Sequence, residues 1–283
     1  MQKSKDLNGA RGVFGNREVV YFGYDTLSAA RNMAIDHALL LRAGRQERFF
    51  LRFYEFERPA VILAAHDHHS VINSSNNGFE VSRRMTGGRP VYVDRSNFEY
   101  SIAGPLKEGE ALWTSPTTSI HGNLGPLLAD AIESTLNNRH EITLGRSSSL
   151  RISGKPIAGH GQYIRRGHSF LYHGVVAVDR WDTRNIRNAL NVTEEDLKTL
   201  ETLPNIKDLL GNGKNREMLK EELANNILAR IPEKNLSRIS SQERDDIMEY
   251  AHRLELMKYS NSDWVYRNDG LLRKDMKFCI ISQ

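Results

Sequence analysis

The chain has 283 residues, 39% of them hydrophobic and 26% charged, with 39 Lys+Arg against 35 Asp+Glu, a formal charge of +4 and one cysteine. At about 150 residues per domain this is one to two domains; the apolar share excludes a disordered chain, and no apolar run approaches the roughly 18 residues of a membrane-spanning helix. One cysteine cannot close an internal disulfide, and +4 is far from the basic surplus of a dedicated nucleic-acid binder, so charge supports only a weak preference for anionic ligands.

Residues 1–16 carry two lysines but no apolar stretch of the kind a secretory signal needs, and they read as a flexible tail on a cytoplasmic protein. Val19-Val20-Tyr21-Phe22-Gly23 reads as a strand. Thr26 or Ser28 then offers a cap to a helix whose Ala30, Met33, Ala34, Ile35, Ala38 and Leu39 form an apolar stripe. Arg48–Tyr54 and Ala60–Ala65 are rich in strand formers, and Pro59 between them predicts two neighbouring antiparallel strands. An Asn-rich loop at 73–78 is followed by a strand from Val81, a Gly87-Gly88 turn, a second strand to Asp94, and Phe98–Ile102. A helix from Ser115 or Thr118 runs through Leu124, Leu128, Ile132 and Leu136, with Pro126 tolerated only near its start or at a kink. Leu150–Ile152 and Pro156–Ala158 flank Ser153-Gly154 as a hairpin, and strands at Gly161–Arg165 and Ser169–Val178 follow. From Thr193 charged helix formers dominate. Strands first and helices later predict an α+β fold with a small helical C-terminal part.

Three segments carry chemistry. In Arg83-Arg84-Met85-Thr86-Gly87-Gly88-Arg89 two glycines let backbone N–H groups approach an anion, and the arginines supply charged planar forks; a hairpin turn with solvated arginines fits the same residues. In Gly154-Lys155-Pro156-Ile157-Ala158-Gly159 a lysine among glycines could stabilise charge on a forming mixed anhydride, or stand as an exposed turn residue. In Tyr172-His173-Gly174-Val175 a histidine sits inside an apolar strand, where a structural role competes with a chemical one. His66-Asp67-His68-His69 has no second ligand group at zinc spacing, so no metal site is expected. Trp113, Trp181 and Trp264 read as packing residues, and Cys279 as an ordinary apolar-strand residue.

Taken in order, Asn32-Met33-Ala34-Ile35-Asp36, Arg52-Phe53-Tyr54 with Pro59, the Arg-Arg-x-Thr-Gly-Gly segment with Val91-Tyr92-Val93-Asp94, the Gly-Lys-x-Ile-x-Gly segment and His173-Gly174 resemble the lipoate–protein ligase and octanoyltransferase family. Lys258-Tyr259-Ser260-Asn261-Ser262-Asp263-Trp264 is similar to the closing motif of the ligase accessory region. The resemblance implies a mixed, largely antiparallel sheet packed with helices, as in biotin–protein ligases and class II synthetases. Residues 17–195 would form the catalytic domain and 196–283 an accessory subdomain. It also implies ATP, Mg2+ and lipoate as substrates and ions: lipoate and ATP give lipoyl-AMP, and the acyl group passes to a lysine of a carrier domain, either a dehydrogenase E2 or the glycine-cleavage H protein. An accessory subunit is left open, and neither a membrane nor a nucleic-acid partner is implied.

Carried over residue by residue, Lys155 is the catalytic cation. Arg84, Gly87, Gly88, Arg89, Pro90, Val91 and Tyr92 line the nucleotide and acyl-adenylate site, with His173 and Gly174 as another wall, and Asp94 supports the motif. Two positions depart from the family pattern. The lysine stands one residue early, with Pro156 in its place, so it faces the site only if the Ser153-Gly154 turn absorbs the shift. Arg89 replaces a glycine of many ligases and is similar instead to the cysteine-dependent transferases, yet Leu144-Gly145-Arg146 offers no thiol where those enzymes have theirs. An ATP-independent octanoyl or lipoyl transferase, or a silent homologue that binds lipoyl domains, remain the alternatives.

Overall fold

Val19–Leu27 and Phe49–Phe56 form the first two strands, β1 and β2, and Ala29–Gln46 between them forms helix α1. The strands lie side by side and parallel, a pairing that needs a crossover, which α1 supplies. Ser28 caps the helix by accepting from the Arg31 amide, and Glu47 ends it in the left-handed region at φ 57°. A computed structural model describes residues 13–73, 78–107, 116–145, 148–211 and 213–267. Most of the expected tail, much of the Asn-rich loop, and Ser115, Trp113, Arg146 and Cys279 lie outside them. The end of that tail is in the core: Val13 and Phe14 are buried, with the Phe14 ring edge-on to Phe49 at 5.0 Å.

The remaining strands are β3 (Ala60–Leu63), β4 (Glu80–Arg83), β5 (Val91–Val93), β6 (Asn97–Pro105), β7 (Thr143–Gly145), β8 (Ser149–Ile152), β9 (Lys155–Arg165), β10 (Ser169–Ala177) and β11 (Leu236–Arg238). The helices are α2 (Pro116–Thr135), α3 (Thr183–Ala189), α4 (Glu194–Glu201), α5 (Ile206–Leu210), α6 (Arg216–Leu228), α7 (Ser241–Leu254) and α8 (Ser262–Val265). The fold is α+β. An eight-stranded sheet runs β11-β1-β2-β6-β10-β9-β8-β7, parallel at β11-β1-β2 and antiparallel elsewhere, and a three-stranded sheet runs β4-β3-β5.

Alternation along β10 divides the interior in two. Leu171, Val175 and Ala177 join the core beneath α1, α7 and the small sheet, whereas Phe170, Tyr172 and Val176 join the core beneath α2 and α6. The C-terminal helices contribute to both, Leu219, Leu223 and Ile227 to the second and Ile247, Ala251 and Leu254 to the first.

Three local expectations are corrected. β2 and β3 are not neighbours but belong to different sheets, because β1 and β6 already occupy both hydrogen-bonding edges of β2. The strands on either side of Gly87-Gly88 do not pair with each other; β3 lies between them, parallel to β4 and antiparallel to β5. Pro126 sits in the interior of α2.

Arg83 fastens the end of the segment that follows α7. Arg83 is fully buried; its Nη1 donates to the carbonyls of Ala64 (2.8 Å) and Asp67 (2.7 Å), its Nε to Trp264 (2.9 Å) and its Nη2 to Val265 (2.9 Å). Trp264 returns a bond from Nε1 to the Arg83 carbonyl at 3.0 Å. Hydrogen bonds from a charged donor contribute about 1.5–3 kcal/mol each when their acceptors are buried. Arg83→Leu is therefore expected to lower the opening free energy of α8 by about 2–3 kcal/mol while β6 and β10 keep their protection, as read by native-state hydrogen exchange.

Candidate active site

The site begins on α1, where Asn32 and Asp36, four residues apart, fall on one face and turn toward the sheet. Arg52 on β2 points back at them, fully buried and stacked over the Tyr54 ring at 4.5 Å. Its Nη1 donates to the Asn32 carbonyl at 3.2 Å and lies 3.5 Å from Asp36 Oδ1, and its Nη2 donates to Asn32 Oδ1. Burial pulls the guanidinium pKa down, and the Asp36 carboxylate opposes it. A lone buried charge would be costly, but this one is paired and hydrogen-bonded.

The other oxygen of Asp36 accepts from His173 Nδ1 at 2.8 Å. Its Nε2 faces the Thr86 hydroxyl at 2.7 Å, and in the imidazole tautomer that donates from Nδ1 it is the acceptor there. Thr86 Oγ1 in turn accepts from Arg84 Nε at 2.9 Å. Arg84 directs three further donors at carbonyls: one of Nη1 at Ile62 (3.0 Å), and those of Nη2 at Gly87 (3.0 Å) and Arg89 (2.7 Å). One buried polar chain, Arg52–Asp36–His173–Thr86–Arg84, thus connects α1, both sheets and the glycine turn. Two glycines make the approach feasible. A Cβ at Gly88, whose φ is +108°, would meet Arg84 Nη2 at 2.8 Å, and one at Gly161 would meet Thr86 Oγ1 at 2.7 Å.

Against this chain lies a half-open, largely apolar cleft between the two sheets. Met33, Phe56, Ile62, Val91, Val93 and Val175 give it an apolar wall, the backbones of Gly159, Gly161 and Gly174 a floor, and Arg84 and His173 a polar margin. An elongated acyl chain suits such a space.

Of the residues expected at the site, Arg84, Val91, His173 and Gly174 line this cavity. Gly87 and Arg89 offer it no side chain there but hold Arg84 through their carbonyls. Pro90 and Tyr92 are buried, and Tyr92, in the core on the far side of β5, alternates away from the cavity; burial raises its pKa. Asp94 caps the turn into β6, accepting from the Ser96 amide at 2.7 Å. Lys155 is not brought to the cavity. β9 holds an extra residue opposite β8, since Leu150 pairs with Ala158 but Arg151 with Pro156. Ile157 and Ala158 consequently both enter the core beneath α2, so Pro156 keeps the phase of Gly159 and Gly161 while Lys155 turns away. It is exposed, and its Nζ donates to the Thr202 carbonyl at 3.2 Å.

Across the sheet, Gly174 serves another purpose. A Cβ there would fall 2.5 Å from His160 Cδ2 and 2.8 Å from Tyr100 Oη. His160 stacks on Tyr172 with ring centroids 4.9 Å apart and donates from Nδ1 to the Ser148 carbonyl at 2.8 Å. Burial pushes its pKa down to about 3. Thr86, Asp36, Arg52 and Gly161 have no role legible from sequence alone: Asp36 is signalled only by its helical spacing from Asn32, and the others depend on contacts between distant segments.

With the geometry in place, comparison with known proteins gives the family. The lipoyl protein ligase A/B catalytic domain model matches residues 28–228, and the chain belongs to that family. It is 24% identical over 250 residues to lipoate-protein ligase LplJ of Bacillus subtilis, covering 83% of this chain and 69% of that protein. Its fold is similar to an archaeal bi-partite lipoate protein ligase from Thermoplasma acidophilum, described with its E2 lipoyl domain, at TM-score 0.67 and 22% identity over 92% of this chain and 99% of that one. A lipoate-protein ligase A bound with ATP superposes at TM-score 0.67 and 21% identity, covering 90% and 100%.

Two outcomes are expected from the polar chain and its surroundings. Asp36→Ala leaves buried Arg52 with only Asp25 Oδ2, 3.7 Å from its Nε, as a carboxylate partner and His173 Nδ1 without its acceptor, and should cost about 3–5 kcal/mol, against about 1–2 kcal/mol for Thr86→Val, both read from urea unfolding. His160, with a folded pKa near 3 against 6.5 for a free imidazole, binds its proton more readily when unfolded. Its contribution is whole above pH 6.5 and is lost as pH falls toward 3. The urea midpoint of wild type should fall over that window more steeply than that of His160→Phe.

Proposed function

We propose that the protein is a lipoate–protein ligase that activates lipoate with Mg2+-ATP and passes the lipoyl group to a lysine of a carrier domain. The observation that carries this reading is the apolar cavity between the two sheets, bordered by the Arg84–Thr86–His173 chain, in a chain of this family. An aliphatic acyl chain fits the wall, and the glycine turn held by Arg84 lies beside it. In the first step a carboxylate oxygen of lipoate attacks the α-phosphorus and pyrophosphate leaves. In the second a lysine ε-amine attacks the acyl carbon, AMP leaves and the amine loses a proton. Mg2+ enters with the nucleotide as part of the substrate.

His173, with both nitrogens engaged by Asp36 and Thr86, positions the wall and is not assigned a proton transfer. Lys155 is assigned the polyphosphate, the part open to an exposed ammonium outside the cavity. The carrier is a lipoyl domain of a dehydrogenase E2 or the glycine-cleavage H protein, in a cytoplasmic setting; among the described residues no helix is long and apolar enough to cross a membrane. A bi-partite relative supports asking whether a second subunit completes the enzyme.

Lipoate-dependent ATP–pyrophosphate exchange tests the reading, first with the chain alone and then with added accessory subunit. Exchange that needs lipoate is the expected result, with Lys155→Ala lowering the rate at unchanged lipoate affinity. No exchange with any acid in either format would overturn the ligase reading in favour of carrier-to-carrier transfer or silent binding, for which the outward position of Lys155 speaks.

A further inference from the structure

One ionisable group inside the cavity has no part in the chemistry above. Glu99 lies on β6 between Tyr54 of β2 and Val175 of β10, one same-face step from Ser101, which pairs with His173. It is 3% exposed and lines the cavity together with Phe56, Val93 and Val175. Among the described residues neither carboxyl oxygen has a hydrogen-bond partner. Strand alternation puts it on the cavity side, away from Phe98 and Tyr100, which belong to the opposite core.

The nearby charges do not demand an ionised Glu99. Lys220, on α6, is buried and already paired with Glu55 Oε1 at 3.0 Å, and Glu55 also accepts from the Tyr24 hydroxyl at 2.8 Å. Lys220 lowers the Glu99 pKa and Glu55 and Asp94 raise it, but burial is the largest influence and holds it well above the usual carboxylate range. A neutral carboxyl offers one O–H donor and a carbonyl acceptor to whatever enters the cavity. An acyl chain that enters displaces water from that group, and a buried donor left unmatched carries the full cost of desolvation.

We propose that Glu99 is a specificity-determining residue that selects an uncharged acyl chain bearing a hydrogen-bond acceptor, such as the sulfur of a dithiolane, over a plain alkyl chain of the same length. This rests on the ligase reading for the identity of the acyl group, while the selection itself is a property of binding. The substrate carboxylate is assigned to the glycine turn, where activation takes place in the ligase reading, which leaves the acyl chain to face Glu99. A site built to hydrogen-bond a substrate atom rejects the analogue that lacks it.

The test is calorimetric binding of lipoate and of octanoate to wild type, Glu99→Gln and Glu99→Leu, with ATP–pyrophosphate exchange measured alongside. Wild type should prefer lipoate. Glu99→Gln, which keeps a donor at the same place, should hold the lipoate-to-octanoate ratio within about twofold, and Glu99→Leu should reduce it about five- to tenfold, chiefly by tighter octanoate binding. Tighter octanoate binding is a readout that a misfolded variant cannot produce. The same ratio in Glu99→Leu as in wild type, equal affinity of wild type for the two acids, or no binding of either acid would overturn the proposal. A changed ratio with no exchange, with or without added accessory subunit, would sustain the role of Glu99 and remove the ligase reading; exchange with an unchanged ratio would do the reverse.

Discussion

The carboxylate of Asp36 divides its two oxygens between Arg52 and His173, and the architecture of the site follows from that division. A buried arginine is tolerable only beside an anion, and a buried carboxylate only beside donors; each solves the other's problem between α1 and β2. The second oxygen then fixes the proton of His173, whose remaining nitrogen sets the Thr86 hydroxyl, whose oxygen sets Arg84. The glycine turn is consequently positioned by a helix far away in sequence. No single member could be replaced without leaving a neighbour unsatisfied, which is why the chain reads as scaffolding for the cavity and not as a reacting group.

Much of the fold was legible because local rules suffice for its larger parts. The stripe on α1, the Ser28 cap and the Ser153-Gly154 turn, with φ of 48° and 77°, follow from side-chain spacing and backbone preference. What was not legible is partnership. β3 and β5 are short apolar runs whose sequence says strand but not which sheet, and a free edge decides that. Among site residues, Arg84 and His173 stood in recognisable motifs. Glu99 in Phe98-Glu99-Tyr100 gave no sign that its neighbours would bury it, since an acidic residue in a strand is ordinarily on the wet face.

Lys155 and Pro156 show how a single inserted residue separates motif from geometry. The extra residue at Ile157 sends two successive side chains into the same core, so the phase of everything before it is reversed relative to Gly159. Proline tolerates the inward place because it needs no donor there and contributes only bulk. The ammonium is displaced to the surface, and the charged side chain at the cavity margin is Arg84.

Both ends of the eight-stranded sheet are three-residue strands, β11 at one side and β7 at the other, and the small sheet ends on strands of four and three residues. Unpaired strand edges of that length give little template for another chain to extend the hydrogen-bond ladder. Among the described residues the protein thus offers an approaching chain little strand edge to extend, and a docking partner is met by side chains and loops instead of by strand addition.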